Sequence, residues 1–592
     1  LNASSATAWQ RPAARWQLPA DSATEQAELG RALNIHPLLA AVLVHRNFTA
    51  ETAREFLSPS IDGLHNPLLM RDMEAATTRL WAAIQQRQPV LLYGDYDVDG
   101  TSSIVVLKKA IEILGGCASF HIPHRLKDGY GMRNEVIDKA AQEGVRLIVS
   151  VDTGIRAGEV VRHARALDID VIVTDHHLPE SELPPALAVL NPNRHDCSYP
   201  NKNLCGAGVA LKLVQALLLR SGMAAARQAA LLDSFLKPVA IATVADIVPL
   251  TGENRVIVQR GLSGLRHVKN PGLRALLSVA GLDEGEPPSA HQVAFRVAPR
   301  INAAGRMATA KDVIELFLTD DVKRAEELAG HLDTLNKERQ QVEADIVEAV
   351  LAQCEQSAFD SNRCAFVFAG EKWHLGVLGI VASRLVEKLC RPVFVLSNSA
   401  STDESLRPCL SGSGRSIPAF HLLQALESMP DLFVKFGGHR QAAGLTIPCD
   451  KVPEFQDRFH QWAASLLTAE DMRPLYVADA ETSFADLNDE SARQVQLLGP
   501  FGFGNQAPLF YVRQAEVAGP CRIIREDKHF KVPLRHAGRV LYCNAWNFGG
   551  RQHLLEPGQK LDLLLQIEDD DYSRKRGYSP WCAVLKDVRS AI

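Results

Sequence analysis

The hydrophobic pattern of the chain changes near residue 86. Residues 1–85 read as a mainly helical extension with no recognisable chemistry. Short apolar runs follow: PVLLYG (89–94), RLIVSV (146–151) and DVIVT (170–174). Bounded by turn signals, such runs read as strands buried on both faces. Between them, SSIVVLKKAIEIL and GEVVRHARAL repeat their apolar positions at helical spacing. Strands alternating with helices predict an α/β domain built on a parallel sheet. The stretch 321–355 is amphipathic, with Leu328, Leu332, Leu335, Val342, Ile346 and Val350 on one stripe, and predicts a long connecting helix. A second α/β-like region follows. The runs FKVPL, RVLYCNAWNF and KLDLLLQIE then suit a small β-barrel. The expected organisation is an extension over 1–85, an α/β domain over 86–310, connector helices over 311–358, a second α/β domain over 359–468 and a barrel over 469–592.

Composition narrows the class. The 592 residues are 46% apolar and 22% charged, as in a globular protein of several domains. Neither a bilayer span of ~18–20 apolar residues nor a secretory leader is expected, so no membrane partner is assigned. Eleven cysteines stand singly with no C-x-x-C pair, which reads as reduced thiols in a cytoplasmic protein. The net charge of −5 gives no general attraction to nucleic acid, so any such role needs local basic surface. Residues 521–592, with 13 Lys/Arg against 9 Asp/Glu, offer one.

The acids carry the chemistry. The run YGDYDVDG (93–100) sets Asp95, Asp97 and Asp99 at alternate positions after the first strand. In an extended segment, alternate side chains point the same way. Carboxylates gathered so closely need a cation or open solvent. The second strand leads into Asp152 and the third into Asp175, His176 and His177. Ligands of open parallel sheets bind beyond the carboxyl ends of the strands, so these groups converge on one edge. A single acid there is an ordinary turn or cap. Three acids and a histidine pair fit a metal site better. Carboxylates with histidine and no cysteine favour Mn²⁺ or a Mn²⁺/Mg²⁺ pair. Asp246, alone in VAIATVADIVPL, reads equally as a cap or as a ligand from another element. The glycine-rich GPFGFGNQAP (499–508) lacks a strand-to-helix context and reads as a structural loop.

In order and spacing, GDYDVDG, VDTG, TDHH and TVADIVPL resemble the motifs of the DHH phosphoesterase superfamily. WHLGVLGIVASRL (373–385), SGSGRS (411–416) and GGHRQAAG (437–444) resemble its companion DHHA1 domain. With PRINAAGRM (299–307) and the basic β-rich tail, the whole resembles the RecJ-type single-strand-specific 5′→3′ exonucleases. The resemblance implies a DHH domain, a DHHA1-like domain and an OB-like barrel. It implies two Mn²⁺ or Mg²⁺ ions bridged by Asp152, one also held by Asp97 and the other by Asp99, His176 and Asp246. His177 would face the substrate phosphate and Asp175 would orient a histidine. Many superfamily members have a histidine where this chain has Tyr93, so Asp95 is expected to supply the missing ligand.

For substrate, Arg125 is a candidate phosphate clamp, and Arg300 and Arg306 flank Asn302 beside the small AAG run, which would let backbone approach a strand. Ser413, Arg415, Gly438 and His439 lie in glycine loops whose N–H groups form anion nests. The second-domain motif adds His374 and Arg384. In the barrel, Tyr542, Trp546, Phe548, Tyr572 and Tyr578 are candidates for stacking on bases. The resemblance implies hydrolysis of single-stranded DNA to 5′-mononucleotides in recombinational and mismatch repair, alongside a single-strand-binding protein and a helicase. Two alternatives remain. One is a DHH phosphodiesterase acting on short oligonucleotides, whose members usually lack the extension and barrel. The other is a non-catalytic replication scaffold, a class that loses motif carboxylates intact here.

Overall fold

The computed structural model describes residues 12–125, 128–129, 131–282, 284–356, 362–398, 408–525 and 528–591. Two compact units divide them. One comprises 65–246 and 260–474 with the start of the chain, the other 14–64, 247–259 and 475–592.

In the first unit, β1 (Pro89–Gly94), β2 (Cys117–His121), β3 (Leu147–Val151), β4 (Asp170–Thr174) and β5 (Ala188–Leu190) form a parallel sheet in the order β2-β1-β3-β4-β5. The three strands read from sequence are thus the adjacent centre of the sheet. Their side chains are buried on both faces, as continuous apolar runs require. One face packs Leu91, Tyr93, Ile148 and Val171 against helices 134–142 and 158–166. The other meets α1 (Val98–Ile113) and α2 (Gly206–Arg220). Helix α3 (Ala225–Ala245) is long and apolar enough to pass as a bilayer span. Its residues from Phe235 to Val244 are nearly all buried in the core, while Asp233 and Lys237 interrupt the apolar run.

Helix α4 (Ala298–Met307) packs on α5 (Val322–Gln356), the predicted connector. Leu328, Leu332, Leu335, Ile346 and Val350 are buried along α5. A mixed sheet follows, of β6 (Phe366–Gly370), β7 (Val393–Asn398), β8 (Cys409–Arg415), β9 (Lys435–Gly438) and β10 (Ala442–Pro448), ordered β9-β10-β8-β7-β6. Only β6 and β7 run parallel. Helix α6 (Leu378–Leu389) covers β7 and β8.

The second unit holds the barrel: β11 (Phe510–Val517), β12 (His529–His536), β13 (Arg539–Ala545), β14 (Lys560–Asp569) and β15 (Trp581–Ser590). The order β11-β14-β15-β13-β12 is closed by Glu516 and Val517 of β11 pairing with Arg535 and Leu534 of β12. Helices 23–33, 37–45 and 50–57 share the barrel's apolar core through Leu29, Leu39, Val42 and Ala53, so most of the extension is part of this unit. The 499–508 loop is structural. Asn505 donates to the carbonyls of Leu498 and Pro500 and accepts from Arg46. Phe548 is buried in the barrel core, which corrects its reading as a base-stacking residue. Tyr542, Trp546 and Tyr578 are exposed, whereas the Tyr572 side chain lies outside the described residues.

Candidate metal centre

The three aspartates after β1 converge by a route different from simple alternation. Strand β1 stops at Gly94, Asp97 is the N-cap of α1, and Asp99 lies in its first turn. Asp97 Oδ1 accepts from the N–H groups of Asp99 (2.9 Å) and Gly100 (3.0 Å), as a capping aspartate does. The loop folds back so tightly that a Cβ on Gly100 would sit 2.5 Å from the Asp95 carbonyl oxygen. Asp99 is fully inside, where its carboxylate accepts from the N–H groups of Gly206 (2.5 Å) and Ala207 (2.7 Å) at the start of α2. A helix N-terminus favours a negative partner.

Asp152, at the end of β3, adopts the left-handed region with φ 58°. Gly206 makes room for it, since a Cβ there would lie 2.6 Å from the Asp152 Cβ. At the end of β4, Asp175 is fully buried. It accepts from the N–H groups of Ile155, His176 and His177, and its Oδ1 lies 2.7 Å from His177 Nδ1. Two side chains that sequence reasoning missed fix the histidine backbone. Asn193 donates to the His176 carbonyl (2.7 Å) and Asn191 to that of His177 (2.8 Å). Their signal was the NPN run after β5.

His176 Nε2 lies 3.2 Å from Asp152, and 3.7 Å from both Asp99 and Asp246, the C-cap of α3. Three overlapping sets have donor atoms within 4.8 Å of one another: Asp95, Asp97 and Asp152; Asp99, His176 and Asp246; and Asp152, His176 and His177. Asp152 and His176 each belong to two sets, the arrangement expected of neighbouring cation sites with shared ligands. Tyr93 is turned away, its ring tilted against His121 at 5.0 Å and its hydroxyl donating to the Gly131 carbonyl (3.2 Å).

Burial first, and then the neighbouring carboxylates, push Asp95 and Asp152 well above the usual carboxylate range. The same causes take Asp246 to about 9. The Oδ1 of Asp95 and the Oδ2 of Asp246 are buried without a hydrogen-bond partner. Oxygens and imidazole so placed fit Mn²⁺ or Mg²⁺ by donor chemistry, and a cation would relieve their mutual repulsion. His177 behaves oppositely to His176. Burial lowers both, but the contact with Asp175 carries His177 above the ordinary value.

Opposite the acids stand guanidiniums. Arg125 lies over the Tyr96 ring at 4.9 Å and draws Asp95 down. Burial first, then Arg125, Arg339 and Arg415 nearby, lower Arg306 to about 10, against the opposing effect of Asp97. Arg415 also donates to Ser413 Oγ (2.9 Å). His439, in the β9–β10 turn, is lowered by burial and then by the charges of Arg156 and His177. Gly438, at φ 151°, fits there because a Cβ would strike the Ala442 carbonyl at 2.5 Å. Burial lowers His374, whose Nδ1 has no hydrogen-bond partner.

Three of the expected substrate residues have partners within the fold. Arg300 is taken up by Asp333 of α5 (2.8 Å) and Arg384 by the buried Glu343 of α5, so neither joins the cluster. Asn302 accepts from the Val98 N–H (3.2 Å), and the AAG run approaches the Tyr96 backbone.

Comparison with known proteins agrees with this layout. The DHH family N-terminal domain matches residues 89–243, the DHHA1 domain 361–465 and the RecJ OB domain 478–579. The single-stranded-DNA-specific exonuclease RecJ of Bacillus subtilis is 36% identical over 95% of this chain and 69% of that protein. That of Escherichia coli is 36% identical over 85% of this chain and 87% of its own. The crystal structure of RecJ with Mn²⁺ from Thermus thermophilus superposes with a TM-score of 0.81 at 29% identity, covering 98% of this chain and 80% of that one. With the acids and histidines intact at the sheet edge and all three family domains in order, the chain belongs to the RecJ family of single-stranded-DNA-specific exonucleases.

Proposed function

We propose that the chain is a metal-dependent exonuclease that hydrolyses single-stranded DNA from its 5′ end and releases 5′-mononucleotides. The observation that carries this is the set of overlapping acid and histidine clusters around Asp152, facing the cluster of Arg125, Arg306 and Arg415. Asp95, Asp97 and Asp152 would hold one Mn²⁺ or Mg²⁺ ion, and Asp99, Asp152, His176 and Asp246 a second. Two such ions supply activated water and charge relief on both sides of an in-line displacement at phosphorus.

The chain's own groups do the rest. Asp175 accepts from His177 Nδ1–H and favours the imidazolium, in which Nε2–H would donate to a phosphate oxygen. Asp175 itself is driven up by burial, but its bonds from His177 and Ile155 keep it below the ordinary value, so it stays an acceptor. Arg306, Arg415, Ser413 and the turn at Gly438–His439 would receive the 5′-terminal phosphate, which would set the polarity of digestion. Arg125 would brace the scissile phosphate.

In the barrel, Tyr542 (63% exposed) stands opposite Pro533, between the exposed Lys531 and Arg535 of β12. An aromatic between cations on adjacent barrel strands suits stacking on a single strand. Cooperation with a helicase and a single-strand-binding protein in repair, and a cytoplasmic location, belong to the same proposal.

The test compares 5′-phosphorylated and 5′-hydroxyl strands of one sequence. Arg415→Ala should abolish the preference for the phosphorylated end. A variant that keeps the full preference would remove the 5′-phosphate assignment.

A further inference from the structure

We propose that Asn302 is a positioning residue for the metal-binding loop, and that α4 ties this loop to the second domain. The inference rests on the proposed ligand roles of Asp97 and Asp99. It starts from the first turn of α1, whose N–H groups have no partners within the helix. Asp97 Oδ1 takes those of Asp99 and Gly100, and Thr101 bonds back to the Asp97 carbonyl. The Val98 N–H remains, and Asn302 Oδ1 accepts it at 3.2 Å. Val98 lies between two proposed ligands and is itself buried.

The same helix meets the loop a second time. A Cβ on Gly305 would stand 2.6 Å from the Tyr96 carbonyl oxygen, so α4 lies directly against the backbone between Asp95 and Asp97. Its C-terminal end is fixed to the second domain. Arg306 donates to the Gly376 carbonyl (2.9 Å), and a Cβ on Gly376 would touch the Arg306 carbonyl oxygen at 2.9 Å. One ten-residue helix thus touches the metal loop on one side and the His374–Gly376 turn on the other. Movement of the phosphate-recognising domain would reach Asp97 and Asp99 through Asn302 and Gly305. Asn302 therefore acts on the reaction through the ligands and not by touching the strand.

The test is calorimetric titration of the full chain with Mn²⁺, together with kcat and KM on a 5′-phosphorylated strand. Asn302→Leu removes the acceptor at similar size, while Asn302→Asp keeps it. One backbone hydrogen bond is worth ~1 kcal/mol, about fivefold in an equilibrium constant. Asn302→Leu should weaken Mn²⁺ binding by about fivefold and lower kcat, with KM within about twofold. Asn302→Asp should recover the affinity. Gly305→Ala, which pushes on the Tyr96 carbonyl, should weaken Mn²⁺ binding in the same way if Asn302→Leu fails to fold. Unchanged Mn²⁺ affinity in Asn302→Leu and Gly305→Ala would overturn the proposal. So would a raised KM at constant kcat, the mark of a strand contact. A wild-type chain that binds no Mn²⁺ would overturn the metal reading itself, before any variant is made.

Discussion

Gly206→Ala tests how closely the centre is built. The new Cβ would lie 2.6 Å from the Asp152 Cβ and 2.8 Å from its Oδ1, against an ordinary contact of 3.4–4 Å. Relief requires a shift of roughly 1 Å, and a misplacement of that size costs about 10²-fold in rate. If Asp152 moves, both proposed cation sites lose a shared ligand. If α2 moves, the N–H groups of Gly206 and Ala207 withdraw from Asp99, where they now stand at 2.5 and 2.7 Å. Overpacking adds about 1–3 kcal/mol of destabilisation, which a thermal melt will register. The assay is steady-state release of nucleotide from a 5′-phosphorylated strand in Mn²⁺, with a parallel Mn²⁺ titration. Gly208→Ala is the control, because its Cβ meets only the Leu204 side chain, at 3.1 Å and beyond. We expect Gly206→Ala to lose about 10²-fold in kcat and the control less than about threefold. Near-wild-type rate and Mn²⁺ affinity in Gly206→Ala would refute the shared-ligand geometry.

Other consequences are as direct. Burial raises Asp95, Asp152 and Asp246, so between about pH 4 and pH 9 the metal-free native state binds more protons than the unfolded chain. This group's contribution to stability therefore falls as pH rises through that window. Mn²⁺ must displace the same protons, so the gain in melting temperature from a fixed Mn²⁺ concentration should be larger at pH 8.5 than at 6.5. An equal gain at both would contradict it. Tyr93→Phe should keep full Mn²⁺ affinity and lose about 1–2 kcal/mol of stability, since the hydroxyl's bonds to the Gly131 and Arg133 backbone go; a loss of metal would make Tyr93 a ligand after all. Tyr542→Ala should weaken binding of a long strand by about 1–3 kcal/mol without changing its salt slope. Unchanged affinity would move the strand off this barrel face.

Much of the architecture was legible because the centre of a parallel sheet must be apolar on both faces and must end at its ligand edge. That logic brought Asp95, Asp152 and Asp175 together from three separate runs. It misjudged how Asp97 and Asp99 arrive, because a capping aspartate and an extended one look alike in a short string. Arg300 and Arg384 looked free for substrate, yet each meets an acid on α5 that only the fold brings near. Gly206, Asn191 and Asn193 escaped notice for a related reason. They touch the backbone or carbon skeleton of the site residues, and only the NPN run after β5 hinted at the two asparagines. Phe548 was misread because alternation alone does not reveal which barrel face a residue takes once the strand has ended.

The most direct measurement is digestion of an internally labelled single strand with either its 5′ or its 3′ end blocked, in Mn²⁺, Mg²⁺ or EDTA. Asp152→Ala and a matched duplex run alongside. The account predicts mononucleotides from the strand with a free 5′ end, with either metal, and none with EDTA, the duplex or the variant. Release from a free 3′ end, turnover of only very short oligonucleotides, or activity surviving in Asp152→Ala would contradict it.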